Sequence, residues 1–365
     1  MYNFKKKLNN KKDSIRSFYK NKKILVTGAS GFKGAWLCFW LHLMGSKVYG
    51  IGYSPNKNKN LFYQLKLNKK INYSLVDIKK ITQLNKVIKN FKPQIVFHLA
   101  AQSLIFKSYK DPYNTYLINS FGTLNILEIL KNNKYVKSIV CITSDKCYKS
   151  NNSTKGFVEK DSLGGEDPYS GSKASAEIIV NTYYQSFFKK RKLKCGLATA
   201  RAGNVIGGGD WSPDRLIPDC IKSIINNKKI YLRNPNFNRP WQHVLEPLNG
   251  YLILAKKLYK DPQKYSSAWN FGSKKNTVTS VFEVVKKIIK YWGKGKIKIN
   301  KNKFYEQKHL QLNINKSQKY LKWRPKLSIS ESIEQTINWY KQIHYKGPKT
   351  AEAITKMQIR DFIKK

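Results

Sequence analysis

The feature that most constrains the fold is a glycine-rich turn between an apolar strand and a helix near the amino terminus. Residues 23–27 form a short apolar and β-branched run, which predicts a buried parallel strand. Gly28, Gly31 and Gly34 follow at a GxxGxxG spacing, and a helix is expected at 35–44. Between a strand and a helix, such glycines permit a tight turn, close approach of a pyrophosphate and close helix packing. The segment therefore predicts a dinucleotide site with its phosphates at the helix N-terminus.

The order of the predicted elements indicates the fold class. Further strands are expected at 47–53, 71–76, 94–101, 138–143 and 195–202, with helices at 81–91, 113–132 and after Asp167. This alternation predicts a Rossmann-type, doubly wound parallel α/β sheet. We predict a basic N-terminal extension at 1–20, a dinucleotide-binding domain at 21–205 and a helical tail at 346–365. Between them, residues 206–345 should form a smaller mixed α/β domain that mainly binds the substrate and returns segments to the first domain.

The charge of the chain bears on the kind of partner it binds. Lys and Arg number 70 against 21 Asp and Glu in 365 residues, a formal charge of +49. Such an excess usually suggests a nucleic-acid partner. Here the lysines are spread along the whole chain without a nucleic-acid motif, which favours a compositional bias over a functional basic face. We expect no specific nucleic-acid partner, although the charge should attract anionic substrates.

Cysteine usage and apolar patterning favour a reduced, cytoplasmic protein. The five cysteines are odd in number and form no CxxC pair, so we expect buried thiols, without disulfides or a metal site. The longest apolar stretch, at 34–45, contains His42 and is too short to span a bilayer. The basic N-terminus lacks the apolar segment and cleavage site of a secretory signal. No membrane partner is expected.

A predicted helix after Asp167 carries a candidate acid/base pair. Asp167 and Pro168 have the residue types of an N-cap and a first helical position. Tyr169 and Lys173 stand four residues apart and share one helix face, so the ammonium should lower the phenol pKa toward neutrality. That makes Tyr169 a plausible acid/base for a sugar hydroxyl. The alternative is a packed tyrosine beside a solvated lysine, with Glu177 forming an ordinary surface pair with Lys173.

Polar residues at the ends of predicted strands are further candidates, because ligands bind at the carboxyl ends of parallel strands. Ser144, Asp145 and Lys146 follow the strand at 138–143. Asp77 follows the strand at 71–76, where it could accept a hydrogen bond from an adenine amino group or cap the next helix.

The fourth predicted strand and the end of the second bear on the cofactor. His98 lies in an apolar strand and is interpreted as a core histidine, and the small Ala100 leaves room for a cofactor. The acidic residue that usually binds the ribose after the second strand is absent. Its region instead reads Gly52, Tyr53 and Ser54, with Lys57 and Lys59 beyond, so the choice between NAD and NADP stays open.

Arginines and aromatics accumulate on turns after a glycine-rich loop at 201–211. Arg215, Arg233 and Arg239 could bind a diphosphate, since guanidinium groups bind phosphates bidentately. Trp241 could stack on a base or sugar, and its alternative is a core position. The alternative for Arg233 and Arg239 is a solvated face in a lysine-rich protein.

Four motifs together resemble the extended short-chain dehydrogenase/reductase family. They are Thr27-Gly28-x-x-Gly31-Phe32-x-Gly34, His98-Leu99-Ala100-Ala101-Gln102, Thr143-Ser144-Asp145-Lys146 and Tyr169-x-x-x-Lys173. Within that family, the stretches at 31–34, 143–148, 164–170, 200–211 and 239–248 are similar to nucleotide-sugar 4,6-dehydratases. The likeness covers roughly residues 18 to 340; each motif alone is weakly specific, and their combination is strongly so.

The resemblance implies a redox-neutral dehydration of CDP-glucose with bound NAD, NADP remaining open. Oxidation at C4 of the sugar would acidify the C5 proton, water would leave from C5 and C6, and C6 would be reduced. The resemblance also implies a homodimer formed through the helices at 113–132 and 169–188, and a product used in deoxysugar biosynthesis of the lipopolysaccharide type.

The same resemblance assigns roles to individual residues. Tyr169 would take the proton of the sugar 4-hydroxyl, while Lys173 lowers its pKa and holds the nicotinamide ribose. Ser144 would hydrogen-bond the 4-oxygen, and Asp145 would protonate the departing hydroxyl. The implied cofactor contacts are Gly28, Gly31, Phe32, Gly34, Asp77, Ala100, Tyr169 and Lys173; the implied substrate contacts are Gln102, Asn204, Arg215, Arg233 and Arg239; no metal is expected.

Lys146 departs from the pattern of the sister enzymes that act on dTDP-glucose, which carry a glutamate there as the C5 base. A lysine can act as a base only if its pKa is depressed, and its alternative role is electrostatic support of the enolate. The rival functions are a nucleotide-sugar epimerase of the same family and a dehydratase acting on another nucleotide sugar. A more distant rival is a catalytically idle basic member that binds nucleic acid or protein.

Overall fold

A computed structural model describes residues 14–53, 60–150, 156–190, 194–273, 279–299 and 311–365 of the chain. Its centre is a parallel sheet of seven strands. The strands of the described segments are β1 (Lys23–Thr27), β2 (Lys47–Gly52), β3 (Asn72–Leu75), β4 (Ile95–His98), β5 (Ser138–Ile142), β6 (Gly196–Arg201), β7 (Val205–Ile206), β8 (Ile230–Leu232), β9 (Asn238–Arg239), β10 (Gln242–His243), β11 (Ala268–Asn270), β12 (Thr279–Ser280) and β13 (Ile297–Ile299).

The strand order confirms the predicted fold class. It runs β11-β6-β5-β4-β1-β2-β3, so the chain builds outward from β1 in both directions, as in a Rossmann-type doubly wound sheet. Each predicted strand is present, with ends that agree to within three residues. Strand β11, which was not predicted, joins the sheet edge beside β6. The remaining strands form three small pairs: β7 with β10, β8 with β13, and β9 with β12.

Helices cover both faces of the sheet. They are α1 (Ile15–Tyr19), α2 (Phe32–Leu43), α3 (Leu61–Gln64), α4 (Leu67–Lys70), α5 (Ile81–Phe91), α6 (Ile105–Lys110), α7 (Pro112–Tyr116), α8 (Gly122–Leu130), α9 (Pro168–Tyr183), α10 (Leu216–Ile225), α11 (Leu245–Lys260), α12 (Pro262–Tyr265), α13 (Val281–Trp292), α14 (Ile329–Lys346) and α15 (Ala351–Lys364). Within the described segments, no helix has the length and apolar character needed to cross a bilayer.

Helix α2 begins three residues before the predicted start, at Phe32, with Gly31 in the N-cap position. Gly34 therefore lies inside the first turn of the helix, packed so tightly on the carbonyl of Gly28 that any side chain would overlap it. The earlier start brings the unpaired N–H groups of the first helical turn up to the glycine turn itself.

The predicted helix at 113–132 is interrupted by a π-helical turn at Leu117–Phe121 between α7 and α8. Asn119 lies in this turn and is buried. Its side chain accepts a hydrogen bond from the amide of Gln102 at 2.8 Å and donates to the Ser172 hydroxyl at 2.9 Å. The widened turn thus holds a polar side chain between the β4 loop and α9, as π-turns often do near functional sites.

Both ends of the chain pack onto the fold where they are described. Of the predicted extension at 1–20, residues 1–13 lie outside the described residues, whereas α1 buries Tyr19, whose hydroxyl donates to the carbonyl of Leu252 at 2.7 Å. At the other end, α15 packs its Phe362 ring edge-on against Trp40 of α2. The predicted domain boundaries stay a prediction.

Candidate active site

The carboxyl ends of the sheet strands open into one large cavity of about 1640 Å³. Residues that follow successive strands line it, among them Gly28 after β1, Tyr53 after β2, Asp77 after β3, Leu99 after β4 and Ser144 after β5. Pockets for one small ligand usually measure roughly 300–1000 Å³. The cavity is therefore large enough for a dinucleotide and a second ligand side by side.

The cavity brings together fifteen of the sixteen residues that the sequence suggested for the site. Lys173 is the exception, since it does not line the cavity. The fifteen are Gly28, Gly31, Phe32, Gly34, Asp77, Ala100, Gln102, Ser144, Asp145, Lys146, Tyr169, Asn204, Arg215, Arg233 and Arg239.

The glycine turn has the shape that a dinucleotide pyrophosphate requires. Gly28 has a φ of +72°, and a Cβ placed there would lie 2.7 Å from the backbone nitrogen of Ala100. Only glycine fits at such a position without strain. Gly31 donates its own N–H to the carbonyl of Gly28 at 3.0 Å, so the N–H groups available to an anion are those of the first turn of α2, which no side chain caps. These residues fit a dinucleotide cofactor.

Asp77 lies at the same end of the cavity. Its Oδ1 accepts a hydrogen bond from the amide of Lys79 at 2.9 Å, and Lys80 occupies the N-cap position of α5. The helix-cap alternative for Asp77 is therefore wrong. Its Oδ2 lies 3.6 Å from the ammonium of Lys79, and Asp77 lines the cavity. Ser54, Lys57 and Lys59, which bear on NAD against NADP, lie outside the described residues.

Asp145 is a buried carboxyl at the end of β5. It is 4% exposed, and its Oδ1 accepts a hydrogen bond from the Ser144 hydroxyl at 3.0 Å. Burial raises the pKa of Asp145, while the charge of Lys146 and the Ser144 hydrogen bond lower it. Gly203 lies so close that a methyl group there would overlap the carboxyl group. A carboxyl group held this way keeps its proton to a higher pH than an exposed aspartate.

Tyr169 and Lys173 occupy the first two turns of α9, which begins at Pro168 with Asp167 as its N-cap, as predicted. The expected effect of Lys173 on Tyr169 is wrong for the ligand-free protein. Burial raises the pKa of Tyr169 to about 12, although a hydrogen bond with Ser144 lowers it. Lys173 instead donates from Nζ to the carbonyl of Ile142 at 3.2 Å, and burial lowers its own pKa to about 8.

Glu177 corrects a second expectation. It is 4% exposed, so it does not form a surface pair with Lys173. Its carboxylate pairs with the guanidinium of Arg201 on β6 at 2.7 Å, and Arg201 is equally buried. From there Arg201 donates to the Tyr148 hydroxyl at 2.7 Å, and Tyr148 donates to Asn270 on β11 at 2.7 Å. A buried ionic network thus ties α9 to β6 and to the sheet edge.

The three candidate arginines, Arg215, Arg233 and Arg239, all line the cavity. Arg215 pairs with Asp210 at 2.8 Å and donates to the Ser103 hydroxyl at 3.0 Å. Arg233 lies over the Phe106 ring, 5.0 Å from its centroid, and Arg239 is buried beside Phe237. The interpretation of Arg239 as a solvated residue is therefore wrong.

Asn204 and Gln102 add polar groups to the wall of the cavity. Asn204 has a φ of +48°, and its side-chain nitrogen is buried without a hydrogen-bond partner in the described part of the chain. A buried donor usually has a partner, so this nitrogen suits a ligand oxygen. Gln102 is already bonded, donating to the carbonyl of Leu104 at 3.0 Å and to the Thr115 hydroxyl at 3.1 Å.

Several residues that the sequence placed in the core are there. His98 is 2% exposed, and its two ring nitrogens lie 2.7 Å from the Thr27 hydroxyl and 3.1 Å from the Thr123 hydroxyl. Trp241, for which stacking on a ligand and a core position were both open, is buried, also lines the cavity and donates to the carbonyl of Thr279 at 3.3 Å. All five cysteines are free and buried, as expected: Cys38, Cys141, Cys147, Cys195 and Cys220.

Lys33 and Asp210 are charged residues of the cavity that were missed as site residues. Lys33 lines the cavity; burial lowers its pKa to about 8, as do Lys173 and Arg215, whereas Asp145 and Asp210 raise it. Asp210 is 5% exposed and orients Arg215. The position of Lys33 between two glycines of the dinucleotide turn could have indicated its place. Nothing in the sequence around Asp210 indicates its pairing.

Comparison with known proteins agrees with this geometry. A family profile described as GDP-mannose 4,6 dehydratase matches residues 25–336. A CDP-glucose 4,6-dehydratase of Salmonella typhimurium is 40% identical over 331 residues, which are 89% of this chain and 92% of that protein.

Solved structures share the fold along most of the chain. A dTDP-glucose 4,6-dehydratase of Bacillus anthracis in complex with NAD superposes with a TM-score of 0.72 at 26% identity, covering 87% of this chain and 96% of that one. A UDP-glucuronic acid 4-epimerase of Bacillus cereus superposes with a TM-score of 0.75 at 24% identity, covering 88% and 99%. With a family profile matched over most of its length and the motifs in place around one cavity, the chain belongs to the GDP-mannose 4,6 dehydratase family, within the extended short-chain dehydrogenase/reductases.

Proposed function

We propose that the protein is a lyase that converts CDP-glucose into CDP-4-dehydro-6-deoxyglucose and water with bound NAD. The observation that carries the proposal is a phenol and a buried carboxyl group, Tyr169 and Asp145, facing the same cavity beside a dinucleotide cradle. The 40% identical relative named for this reaction supports the substrate, and a related structure in complex with NAD supports the cofactor.

The cofactor would be held by the glycine turn and the residues beside it. Gly28 and Gly31 would let the backbone approach its pyrophosphate, the first turn of α2 would bind it through backbone N–H groups, and Asp77 would lie near its adenosine end. When bound, NAD accepts a hydride from the sugar and returns it later in the same cycle. Lys173 lies behind this site on α9 and would hold the nicotinamide ribose once its bond to Ile142 is released.

Tyr169 serves as the base of the first step in this proposal. It takes the proton of the sugar 4-hydroxyl while Ser144 hydrogen-bonds the same oxygen. Because burial raises the pKa of Tyr169 to about 12 in the ligand-free protein, ionisation of the phenol has to be coupled to ligand binding. The nearby Ser144 hydroxyl already lowers that pKa, which is the direction the step requires.

Asp145 serves as the acid of the elimination. Its raised pKa favours the protonated form, which can deliver a proton to the hydroxyl leaving C6. An epimerase needs no such acid, because it expels no hydroxyl group. Lys146 is half-buried and lines the same cavity, and its role stays either C5 base or support of the enolate charge.

The substrate is tested by turnover of a panel of CDP-glucose, dTDP-glucose, UDP-glucose and GDP-mannose. We expect CDP-glucose alone to give the alkali absorbance of a 4-keto sugar, with no net reduced cofactor. Turnover of another member of the panel would show that it, and not CDP-glucose, is the substrate. A 4-epimerised sugar detected by NMR would show that the reaction is an epimerisation and not a dehydration. Absence of any turnover together with a sequence-specific RNA footprint would favour the idle, nucleic-acid-binding alternative.

We also propose a homodimer formed through α7, α8 and α9. Tyr113 on α7 and Ile178 on α9 are 73% and 57% exposed, and Phe121, in the π-helical turn between α7 and α8, is 54% exposed. Such a patch usually marks a protein interface. We expect sedimentation equilibrium to give twice the 42.4 kDa of the chain. Ile178→Glu should shift the mass to that of the monomer, whereas Ile299→Glu, at an apolar position 51% exposed on β13, should not. A monomeric wild type would contradict the proposal.

A further inference from the structure

The Glu177 carboxylate binds three groups from the two strands beside α9. Its Oε1 accepts a hydrogen bond from the Thr143 hydroxyl. Its Oε2 accepts from the Thr199 hydroxyl and from the Arg201 guanidinium, both at 2.7 Å. All four side chains are 5% exposed or less. One carboxylate on the helix that carries Tyr169 therefore bonds the end of β5 and the middle of β6 at once.

Thr143 and Thr199 have different neighbours along the chain. Thr143 directly precedes Ser144 and Asp145, the pair at the cavity, and its amide donates to the carbonyl of Ala200 at 3.1 Å. Thr199 directly precedes Ala200 and Arg201, neither of which lines the cavity. Both threonines bond Glu177, but only Thr143 is next in sequence to the reacting groups, Ser144 and Asp145.

A second side chain of α9 reaches the same segment. Lys173 donates to the carbonyl of Ile142, the residue before Thr143, at 3.2 Å. When Lys173 turns toward a bound ligand, its bond to Ile142 is lost. Among the described hydrogen bonds, the Thr143–Glu177 bond is then the one by which a side chain of α9 holds residues 142–143. Glu177 also counteracts the effect of burial on the pKa of Lys173, so one carboxylate serves both side chains.

We propose that Thr143 is a positioning residue: its hydroxyl, bonded to Glu177, fixes Ser144 and Asp145 relative to Tyr169 during the dehydration. This inference rests on the proposed function. The three groups act on one sugar, so their mutual distances have to be held within a fraction of an ångström. A misplacement of about 1 Å can lower a rate by roughly 10²-fold.

The test compares Thr143→Val with Thr199→Val in the full-length protein with NAD and the sugar nucleotide that the wild type turns over. Both variants remove one hydroxyl bonded to Glu177, so both should lower the melting temperature by similar amounts. We expect Thr143→Val to lower kcat by roughly 10²-fold with KM unchanged. Thr199→Val should keep most of the wild-type kcat, and Thr143→Ser, which retains the hydroxyl, should restore it.

Equal losses of kcat in the two valine variants would overturn the inference, as would a Thr143→Ser variant as slow as Thr143→Val. A Thr143→Val variant too unstable to assay leaves Thr143→Ser and Thr199→Val to decide, because the inference requires both to be active. A wild type without turnover on any sugar nucleotide of the panel would instead refute the proposed function, which is a separate result.

Discussion

Tyr169→Phe should lower kcat for CDP-glucose by about 10²–10⁴-fold, the range for loss of a general acid/base. The variant retains the ring, which is 8% exposed and packed at the start of α9, so the fold and the substrate KM should change little. Without the phenol oxygen, no group at that position can take the proton of the sugar 4-hydroxyl. Reduced cofactor should therefore not form, and stopped-flow absorbance with the sugar nucleotide would show its absence.

Tyr251→Phe provides the matched control. Tyr251 is a fully buried tyrosine that does not line the cavity, and its hydroxyl has no hydrogen-bond partner in the described part of the chain. Removing that hydroxyl should leave turnover and the melting temperature close to those of the wild type. Full turnover in Tyr169→Phe would show that another group is the base and would remove the central residue of the proposed mechanism.

The sheet could be predicted because its strands are locally encoded. Strand β1 is a β-branched run, and the turn after it contains Gly28 at a positive φ that favours glycine; the sequence predicted both correctly. Strand β11 has only three residues, Ala268–Asn270, too few to show the alternation of apolar and polar side chains that predicts a strand. Its place is decided by pairing with β6. The π-turn at Leu117–Phe121 likewise depends on partners of Asn119 that lie elsewhere in the chain.

The composition of the site was predictable, whereas its electrostatics were not. Residue types and order placed Asp145 and Tyr169 at one cavity, since strand ends and helix starts converge in this fold. The direction of the Tyr169 pKa was wrong, because spacing on a helix gives the distance to Lys173 but not the burial of the phenol. Glu177 was misread for a similar reason: its partner, Arg201, lies 24 residues away on a strand.

Asp145→Asn should trap the protein after oxidation of the sugar. The amide keeps the size of the side chain and can still accept the Ser144 hydrogen bond, but it cannot deliver a proton to the hydroxyl leaving C6. We expect turnover to fall by about 10²-fold or more while reduced cofactor accumulates, as measured by its absorbance during a single turnover. In the wild type, burial raises the pKa of Asp145, so elimination should slow as pH rises through that pKa, and the variant should lack this decline.

Two further variants test whether the effect of Asp145→Asn comes from loss of the acid or from loss of a carboxylate in the cavity. Asp210→Asn also neutralises a buried aspartate of the cavity, one paired with Arg215, and it should weaken substrate binding without trapping reduced cofactor. Gly203→Ala leaves the carboxyl group intact but places a methyl group where the Asp145 carboxyl lies, so the acid has to move. We expect Gly203→Ala to accumulate reduced cofactor as Asp145→Asn does, because a displaced acid and an absent acid fail at the same step. If Asp145→Asn slowed oxidation and elimination equally, with no reduced cofactor detected, Asp145 would serve to bind the sugar and the proton of the elimination would come from another group.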